Sequence, residues 1–159
     1  MIICARNQVQ EKVKYNHVSH IISITDVMSE NIFITSELTS IPIIHLKFDD
    51  VLEQHEKNSP TKDDVKKVLS WTKDINCTEG ILVHCEAGVS RSTAMGLSIL
   101  AQSFCDVDKA IQKLLEIVPE ACPNPVISKF SDNILKFEGR LYQESERIAS
   151  EKITKLLNS

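Results

Sequence analysis

The sequence predicts an α/β fold, in which a central and mainly parallel sheet is flanked by helices in three layers. Short apolar segments rich in β-branched residues alternate along the chain with longer segments of helical spacing, and this order is typical of parallel sheets covered by helices. The apolar run over residues 81–83 is followed, after His84 and Cys85, by a six-residue loop and a helix rich in Ala, Leu and Met. Ligand sites in such folds lie beyond the carboxyl end of a central strand, so we expect a site at His84 and Cys85.

The first part of the chain predicts four strands and two helices before this central strand. The strands are expected at Ile2–Ala5 (an edge strand), Val18–Thr25, Asn31–Thr35 and Ile41–Phe48, and a short surface helix at Gln8–Tyr15. A polar loop over Leu52–Ser59 follows. Ser59 as an N-cap and Pro60 at the first helical position predict a helix that runs to about Asp74. Its buried side is expected to carry Val65, Val68, Leu69 and Thr72.

The second part predicts helices alone. The helix after the loop spans Arg91–Phe104, and a second, capped by Asp106 or Asp108, ends at Val118. Three prolines then mark a rigid connection, and Asn124–Pro125 opens a last helical region in which Gly139 allows a break. The charged segment 143–159 has the spacing of a weakly amphipathic helix, either solvated or docked on the domain or a partner. We therefore divide the chain into one domain, 1–142, and a charged helical tail, 143–159.

Composition limits the classes of partner. The chain has 159 residues, 42% of them hydrophobic and 25% charged, as expected for a soluble globular domain. A net charge of −4 does not favour nucleic acid or an anionic membrane as a partner. No apolar run is long enough to span a bilayer, and the first residues lack the layout of a secretory signal. The sequence leaves the oligomeric state open.

The cysteines indicate a reducing compartment. There are five, an odd number without the spacing of a disulfide framework, which favours a cytoplasmic location. We expect Cys4, Cys77, Cys105 and Cys122 to be packing or partly exposed thiols. No Cys/His cluster has the spacing of a zinc site, so no metal and no cofactor is predicted.

The segment from Cys85 to Arg91 combines three groups that suit one chemistry. The amides of the loop converge near the start of a helix, where free N–H groups and the helix dipole attract an anion. A helix N-terminus and a neighbouring arginine both stabilise a thiolate, the nucleophilic form of cysteine. The planar guanidinium of Arg91 fits two phosphate oxygens at once. Together these groups predict covalent phosphoryl transfer to the sulfur of Cys85.

At these residues the chain resembles the cysteine-dependent protein tyrosine phosphatases. Their signature is His-Cys, five residues, Arg, then Ser or Thr, which here is His84-Cys85-Glu-Ala-Gly-Val-Ser-Arg91-Ser92. The details at Ala87–Gly88 and Ser90–Ser92 are similar to the small dual-specificity branch. The resemblance extends over most of the chain and is strongest from Ile41 to Gly139. It implies that residues 1–142 form a phosphatase domain, which hydrolyses phosphotyrosine through a phosphocysteine intermediate. Phosphoserine and phosphothreonine are further expected substrates, with phosphotyrosine the fastest.

The resemblance also implies roles for individual residues. Relatives supply an acidic residue from a loop about thirty residues before the cysteine, and Asp49 and Asp50 follow a predicted strand in that region. We prefer Asp50 as the general acid, with Asp49 as the alternative. Ser92 is expected to hydrogen-bond the sulfur and help it leave, or to be an ordinary residue of the first helical turn. The phosphate is expected to be bound by the loop residues Glu86, Ala87, Gly88, Val89, Ser90 and Arg91.

Two further residues have structural interpretations. His84 is expected to order the loop through hydrogen bonds, without moving protons. Asn124 either braces the loop or simply caps the helix that follows it. One of the other four cysteines is a candidate to pair with Cys85 on oxidation, as in some relatives, but the spacing selects none of them.

The predicted substrate is a phosphoprotein or an aryl phosphate. No Lys or Arg stands between Cys85 and Arg91, unlike in relatives that act on highly charged phosphoinositides or RNA 5′ ends, and Glu86 would repel such substrates. Two other classes remain open. One is a catalytically weak or inactive module that binds phosphate or phosphopeptides. The other is a sulfur-transfer or arsenate-reducing enzyme, which the Ser92–Thr93 continuation and the upstream acidic pair argue against.

Overall fold

A four-stranded parallel sheet organises the computed structural model, which describes residues 1–31 and 40–158. The strands are β1 (Ile2–Ala5), β2 (Val18–Thr25), β3 (Ile43–Lys47) and β4 (Gly80–Cys85), in the order β1-β4-β2-β3. Every pair of neighbouring strands is parallel. The predicted α/β class, the edge position of β1 and the inner position of β4 are confirmed. The strand predicted over Asn31–Thr35 lies, beyond Asn31, outside the described residues.

Helices cover both faces of the sheet and complete the three layers. They are α1 (Val9–Tyr15), preceded by a 3-10 turn at Arg6–Gln8, α2 (Lys62–Thr72), α3 (Arg91–Phe104), α4 (Val107–Ile117), α5 (Pro125–Leu135) and α6 (Arg140–Leu157). A small apolar cluster on one face joins β1, β2 and β4 to α1, while the main core on the other face contains residues of α2 to α6. Because side chains alternate along a strand, Val83 and Cys85 belong to the main core and Leu82 to the small cluster.

The helix before β4 begins two residues later than predicted. Ser59 donates its hydroxyl to the carbonyl of Pro60 and caps no helix. Thr61 is the N-cap instead: its Oγ1 accepts from the Asp64 amide at 3.2 Å, and the Asp64 carboxylate accepts from the Thr61 amide at 2.9 Å. This reciprocal capping fixes the start of α2. The predicted buried face is confirmed at Val65, Val68, Leu69 and Thr72.

The helices after β4 begin where the sequence places them. α3 begins at Arg91, Asp106 caps α4 through the amide of Lys109, and Asn124 caps α5 through the amides of Val126 and Ile127. None of the described helices combines the length and hydropathy that crossing a bilayer requires.

α6 runs without interruption across residue 142. It buries Leu141, Ser145 and Ile148, so its first half packs on the domain. The amides at the start of α6 find their acceptor in α5. The buried carboxylate of Asp132 accepts hydrogen bonds from the amides of Gly139, Leu141 and Tyr142, which have no partner within the helix. The division into a domain over 1–142 and a tail over 143–159 stays a prediction.

Candidate active site

The loop between β4 and α3 folds over the sulfur of Cys85. β4 ends at Cys85 and α3 begins at Arg91. The thiol is 1% exposed and lies at the base of the loop. The amide of Gly88 donates to Sγ at 3.3 Å, and the thiol itself donates to Oγ of Ser92 at 3.2 Å. One donor, the Gly88 amide, therefore faces the sulfur, and the Ser92 hydroxyl, which accepts from the thiol, is placed to donate to it once the sulfur is ionised.

This loop is pinned to the neighbouring strand and helices. Gly88 has φ +76°, and a Cβ placed on it would lie 2.5 Å from the backbone nitrogen of Ala5, at the end of β1. Only glycine fits this close approach. On the other side, the carbonyl of Val89 accepts from the amide of Cys122 at 2.8 Å and from the hydroxyl of Thr93 at 2.6 Å. The loop is thus held from both sides before any ligand binds.

The guanidinium of Arg91 is buried beside the loop. The residue is 3% exposed, and its Nη1 donates to the Asp26 carboxylate at 2.6 Å and to the carbonyl of Phe48 at 2.8 Å. Among the described residues, none accepts a hydrogen bond from its Nε, and the carboxylate of Asp50 lies 3.9 Å away. A buried donor without a partner is costly, and such groups occur where a ligand supplies the acceptor.

Asp50 contacts the loop, and Asp49 does not. Oδ1 of Asp50 accepts from the hydroxyl of Ser90 and from Nδ2 of Asn124, each at 2.8 Å. The carboxylate of Asp49 accepts from Nδ2 of Asn58 at 2.8 Å and from the amide of Val27 at 3.0 Å. The bond from Asn58 and, to a smaller extent, the bond from Val27 lower the pKa of Asp49. The structure thus places Asp50 against the loop and 3.9 Å from Nε of Arg91, while Asp49 bonds Val27 and Asn58.

His84 lies behind the loop. Its side chain follows Leu82 on the face opposite to Cys85, and its Nε2 is 2.8 Å from the hydroxyl of Ser23 on β2. Burial lowers the pKa of His84 to about 4, so the ring is neutral at physiological pH. A neutral ring that is turned away from the sulfur fits the predicted ordering role.

The sequence matches the family described as dual specificity phosphatase, catalytic domain, over residues 2–138. The chain belongs to this family. The MAP kinase phosphatase with leucine-rich repeats protein 3 of Dictyostelium discoideum is 38% identical over 64 residues, which form 40% of this chain and only 7% of that protein. The matched part is therefore a small fraction of that relative.

Several solved structures share the fold. The crystal structure of DUSP15 is similar, with a TM-score of 0.63 and 19% identity, over 91% of this chain and 89% of that one. The human tyrosine phosphatase-like serine/threonine/tyrosine-interacting protein aligns with a TM-score of 0.61 and 16% identity, over 85% of this chain and 87% of that one. At these identities the likeness shows the fold alone.

Arg6 is a neighbour of the loop that the sequence did not predict. Its Nη1 donates to the Glu86 carboxylate at 2.9 Å, and its amide donates to the carbonyl of Glu86 at 3.3 Å. The expected repulsion by Glu86 is therefore offset by a neighbouring cation. Only the structure reveals this contact: Ala5 pairs with Cys85 in the parallel sheet, so the residues that follow the two strands lie side by side.

Asp26 was also missed as a site residue. It directly follows β2, just as Asp49 and Asp50 follow β3, and the carboxyl ends of parallel strands meet at one edge of a sheet. Applied to every strand, the rule that located the acidic pair would have located Asp26 as well.

The remaining cysteines are free thiols and no pairing is formed. Cys4 and Cys77 are buried, Cys122 is partly buried and Cys105 is exposed. Cys4 packs in the small cluster, on the face of the sheet opposite to Cys85, and burial raises its pKa to about 12. This arrangement makes Cys4 a poor oxidation partner for Cys85. Within residues 1–31 and 40–158, no three His, Cys, Asp or Glu side chains cluster closely enough to hold a metal ion.

Proposed function

We propose that this protein is a protein phosphatase that hydrolyses phosphotyrosine, and phosphoserine or phosphothreonine more slowly, through a phosphocysteine intermediate. One observation carries the proposal: the sulfur of Cys85 has the Gly88 amide and the Ser92 hydroxyl as close neighbours, at 3.3 and 3.2 Å. A buried sulfur that accepts from an amide, and that lies beside a hydroxyl able to donate to the thiolate, is arranged as a nucleophile and as a leaving group. Membership of the dual specificity phosphatase family supports the same chemistry.

In the first step, Cys85 attacks phosphorus in line with the leaving oxygen. The S–P bond forms as the P–O bond to the substrate breaks. The amides of the loop from Glu86 to Arg91, together with the guanidinium of Arg91, hold the equatorial oxygens, where negative charge is distributed in the transition state. Asp50, in its protonated form, gives its proton to the leaving oxygen.

In the second step, water hydrolyses the phosphocysteine. Asp50, now a carboxylate, takes a proton from the attacking water, the new P–O bond forms and the S–P bond breaks. The sulfur leaves as a thiolate, to which Ser92 donates its hydroxyl hydrogen. Inorganic phosphate is released and both groups return to their starting protonation states.

The substrate class follows from the leaving group and the local charge. A phenolate is a better leaving group than an alkoxide, so phosphotyrosine or another aryl phosphate reacts faster than phosphoserine. Glu86 forms an ion pair with Arg6 at 2.9 Å, so the first loop position offers no unpaired cation for a polyanionic substrate. A phosphoprotein fits these features. Since the nucleophile must stay reduced and all five cysteines are free thiols, we place this activity in the cytoplasm.

The test is single-turnover trapping together with steady-state hydrolysis of p-nitrophenyl phosphate. Wild type should form phosphocysteine and release nitrophenol, and Cys85→Ser should do neither. Ser92→Ala should release a first equivalent of nitrophenol rapidly and then turn over slowly, with phosphocysteine accumulating. Cys105→Ser is the matched control, because this exposed thiol ends α3, far from the loop, and it should behave as wild type. Phosphate binding without phosphocysteine in wild type would make the protein a binding module instead.

A further inference from the structure

We propose that Asp26 is a positioning residue, which orients the Arg91 guanidinium for the phosphoryl group. This inference rests on the proposed phosphatase function and adds a residue to it. Asp26 accepts from Nη1 of Arg91 at 2.6 Å, and the carbonyl of Phe48 accepts from the same nitrogen at 2.8 Å. Two acceptors on one terminal nitrogen fix the rotation of the planar group. They leave the edge that contains Nε for two phosphoryl oxygens, the geometry of bidentate recognition.

The burial of the two partners differs in the way that a positioning role requires. The Arg91 side chain is 4% exposed and that of Asp26 is 42% exposed. Arg91 therefore loses most of its hydration and needs a fixed partner. Asp26 keeps part of its hydration, so the contact costs it little desolvation free energy. A guanidinium without this partner would be free to rotate on its flexible stem.

Asp26 is itself held in place by contacts to the segment that it begins. The residues after it, 27–30, are tied to the rest of the domain by three donor–acceptor contacts. These are the Val27 amide to Asp49 Oδ1 at 3.0 Å, Lys47 Nζ to the Ser29 carbonyl at 2.7 Å, and Arg6 Nη2 to the Glu30 carbonyl at 2.8 Å. The segment is anchored on the 3-10 turn after β1, on β3 and on the loop after β3. This anchoring gives Asp49 an indirect role, since it fixes the backbone next to Asp26.

A purely electrostatic role for Asp26 predicts the opposite result. If the carboxylate only reduced the positive potential at Arg91, its removal would strengthen the binding of phosphate. If it orients the guanidinium, its removal weakens phosphate binding and slows catalysis. The direction of the change therefore separates the two roles.

The experiment compares Asp26→Ala, Asp26→Asn and Asp26→Glu with wild type, using Asp74→Ala as the matched control because Asp74 is an exposed carboxylate distant from the loop. It measures kcat/KM for p-nitrophenyl phosphate and phenyl phosphate, and the inhibition constant of inorganic phosphate. Asp26→Ala should lower kcat/KM about ten- to hundredfold, equally for both substrates, and raise the inhibition constant. Asp26→Glu should recover part of the loss, Asp26→Asn should lie between wild type and Asp26→Ala, and Asp74→Ala should match wild type.

Three results would overturn the inference. The first is kcat/KM within twofold of wild type in Asp26→Ala. The second is tighter phosphate inhibition. The third is a fall in kcat in proportion to the amount of phosphocysteine that can be trapped, with KM and phosphate inhibition unchanged. Each correctly folded molecule would then work as well as wild type, and only the folded fraction would have fallen. If wild type itself turns over no substrate, the proposed function fails separately. Asp26 is then tested by the phosphate concentration that protects Cys85 from iodoacetamide, which should rise in Asp26→Ala and not in Asp74→Ala.

Discussion

Asp49 and Asp50 are adjacent in the chain, yet their carboxylates bind different parts of the molecule. Asp50 accepts from Ser90, in the loop over the sulfur, at 2.8 Å, whereas Asp49 accepts from the amide of Val27 at 3.0 Å. One carboxylate thus contacts the loop over the sulfur, and the other ties two loops together. This difference leads to separate expectations for the two neutral variants.

Asp50→Asn should act through the leaving group. Without an acid, kcat/KM for phenyl phosphate should fall by about 10²–10⁴. The loss should be much smaller for p-nitrophenyl phosphate, whose leaving group needs no proton. Asp49→Asn is the matched control and should give a modest loss that is equal for both substrates, since it loosens the segment after β2. Equal losses in Asp50→Asn would contradict its role as the acid and return Asp49 to consideration.

Gly88→Ala should disable the loop. The added Cβ would lie 2.5 Å from the backbone nitrogen of Ala5 and 2.6 Å from the carbonyl carbon of Cys4, at a φ of +76°. Backbone atoms cannot move aside as a flexible side chain can, so the amide that faces Cys85 must shift.

The measurements for Gly88→Ala are hydrolysis of p-nitrophenyl phosphate and protection of Cys85 by phosphate. Both should be lost. Gly139→Ala is the control, because it has a similar φ of +90° but its nearest neighbour, Gln143 Nε2, would be 3.7 Å away. Gly139→Ala should lower the stability of the protein but leave its activity and phosphate protection unchanged. A Gly88→Ala protein with normal activity would show that the close approach to β1 does not matter.

The buried ring of His84 should make stability depend on pH. Burial lowers its pKa to about 4 from the value of 6.5 that it has when exposed. Between these values the unfolded chain binds a proton that the folded chain does not, so stability is full above pH 6.5 and falls as the pH drops towards 4. The loss from this residue is on the order of 3 kcal/mol.

Urea unfolding from pH 7 to pH 4 measures this dependence. His84→Gln keeps a polar group near Ser23 but does not titrate, so it should show a smaller loss over the same range, whatever its stability at pH 7. An identical slope in wild type and His84→Gln would contradict the assignment and point to other groups, among them His45, whose pKa burial also lowers.

Ser145→Ala should stabilise the protein. Ser145 is 0% exposed, and its Oγ has no hydrogen-bond partner among the described residues. Removal of an unsatisfied buried hydroxyl should raise the free energy of unfolding by about 1 kcal/mol. Ser98→Ala is the matched control, because its buried hydroxyl bonds the carbonyl of Ala94 at 2.7 Å and the hydroxyl of Ser131 at 2.5 Å. The free energy of unfolding of Ser98→Ala should fall by about 1 kcal/mol. Chemical unfolding of both variants checks the expectation, and a destabilised Ser145→Ala would refute it.

Local features of the sequence determined most of the elements. The β-branched run before Cys85 and the helical spacing after Arg91 placed β4 and α3, because burial and backbone preference act on neighbouring residues. The start of α2 was predicted wrongly at Ser59–Pro60, since two capping signals lie close together there. Thr61 forms the reciprocal bonds with Asp64, and Ser59 forms none with the helix.

The tertiary structure decided which residues surround the sulfur. The sequence alone determined the α/β class, the family resemblance and the nucleophile with its arginine, because one short motif contains them. It favoured Asp50 but kept Asp49 as an alternative, and it did not find Asp26 and Arg6. Asp50, Asp26 and Arg6 follow three different strands. These residues meet the loop only because β1, β2 and β3 are parallel to β4 and end at the same edge of the sheet. Strand order is a long-range property, set by packing of the whole sheet, and no local pattern encodes it.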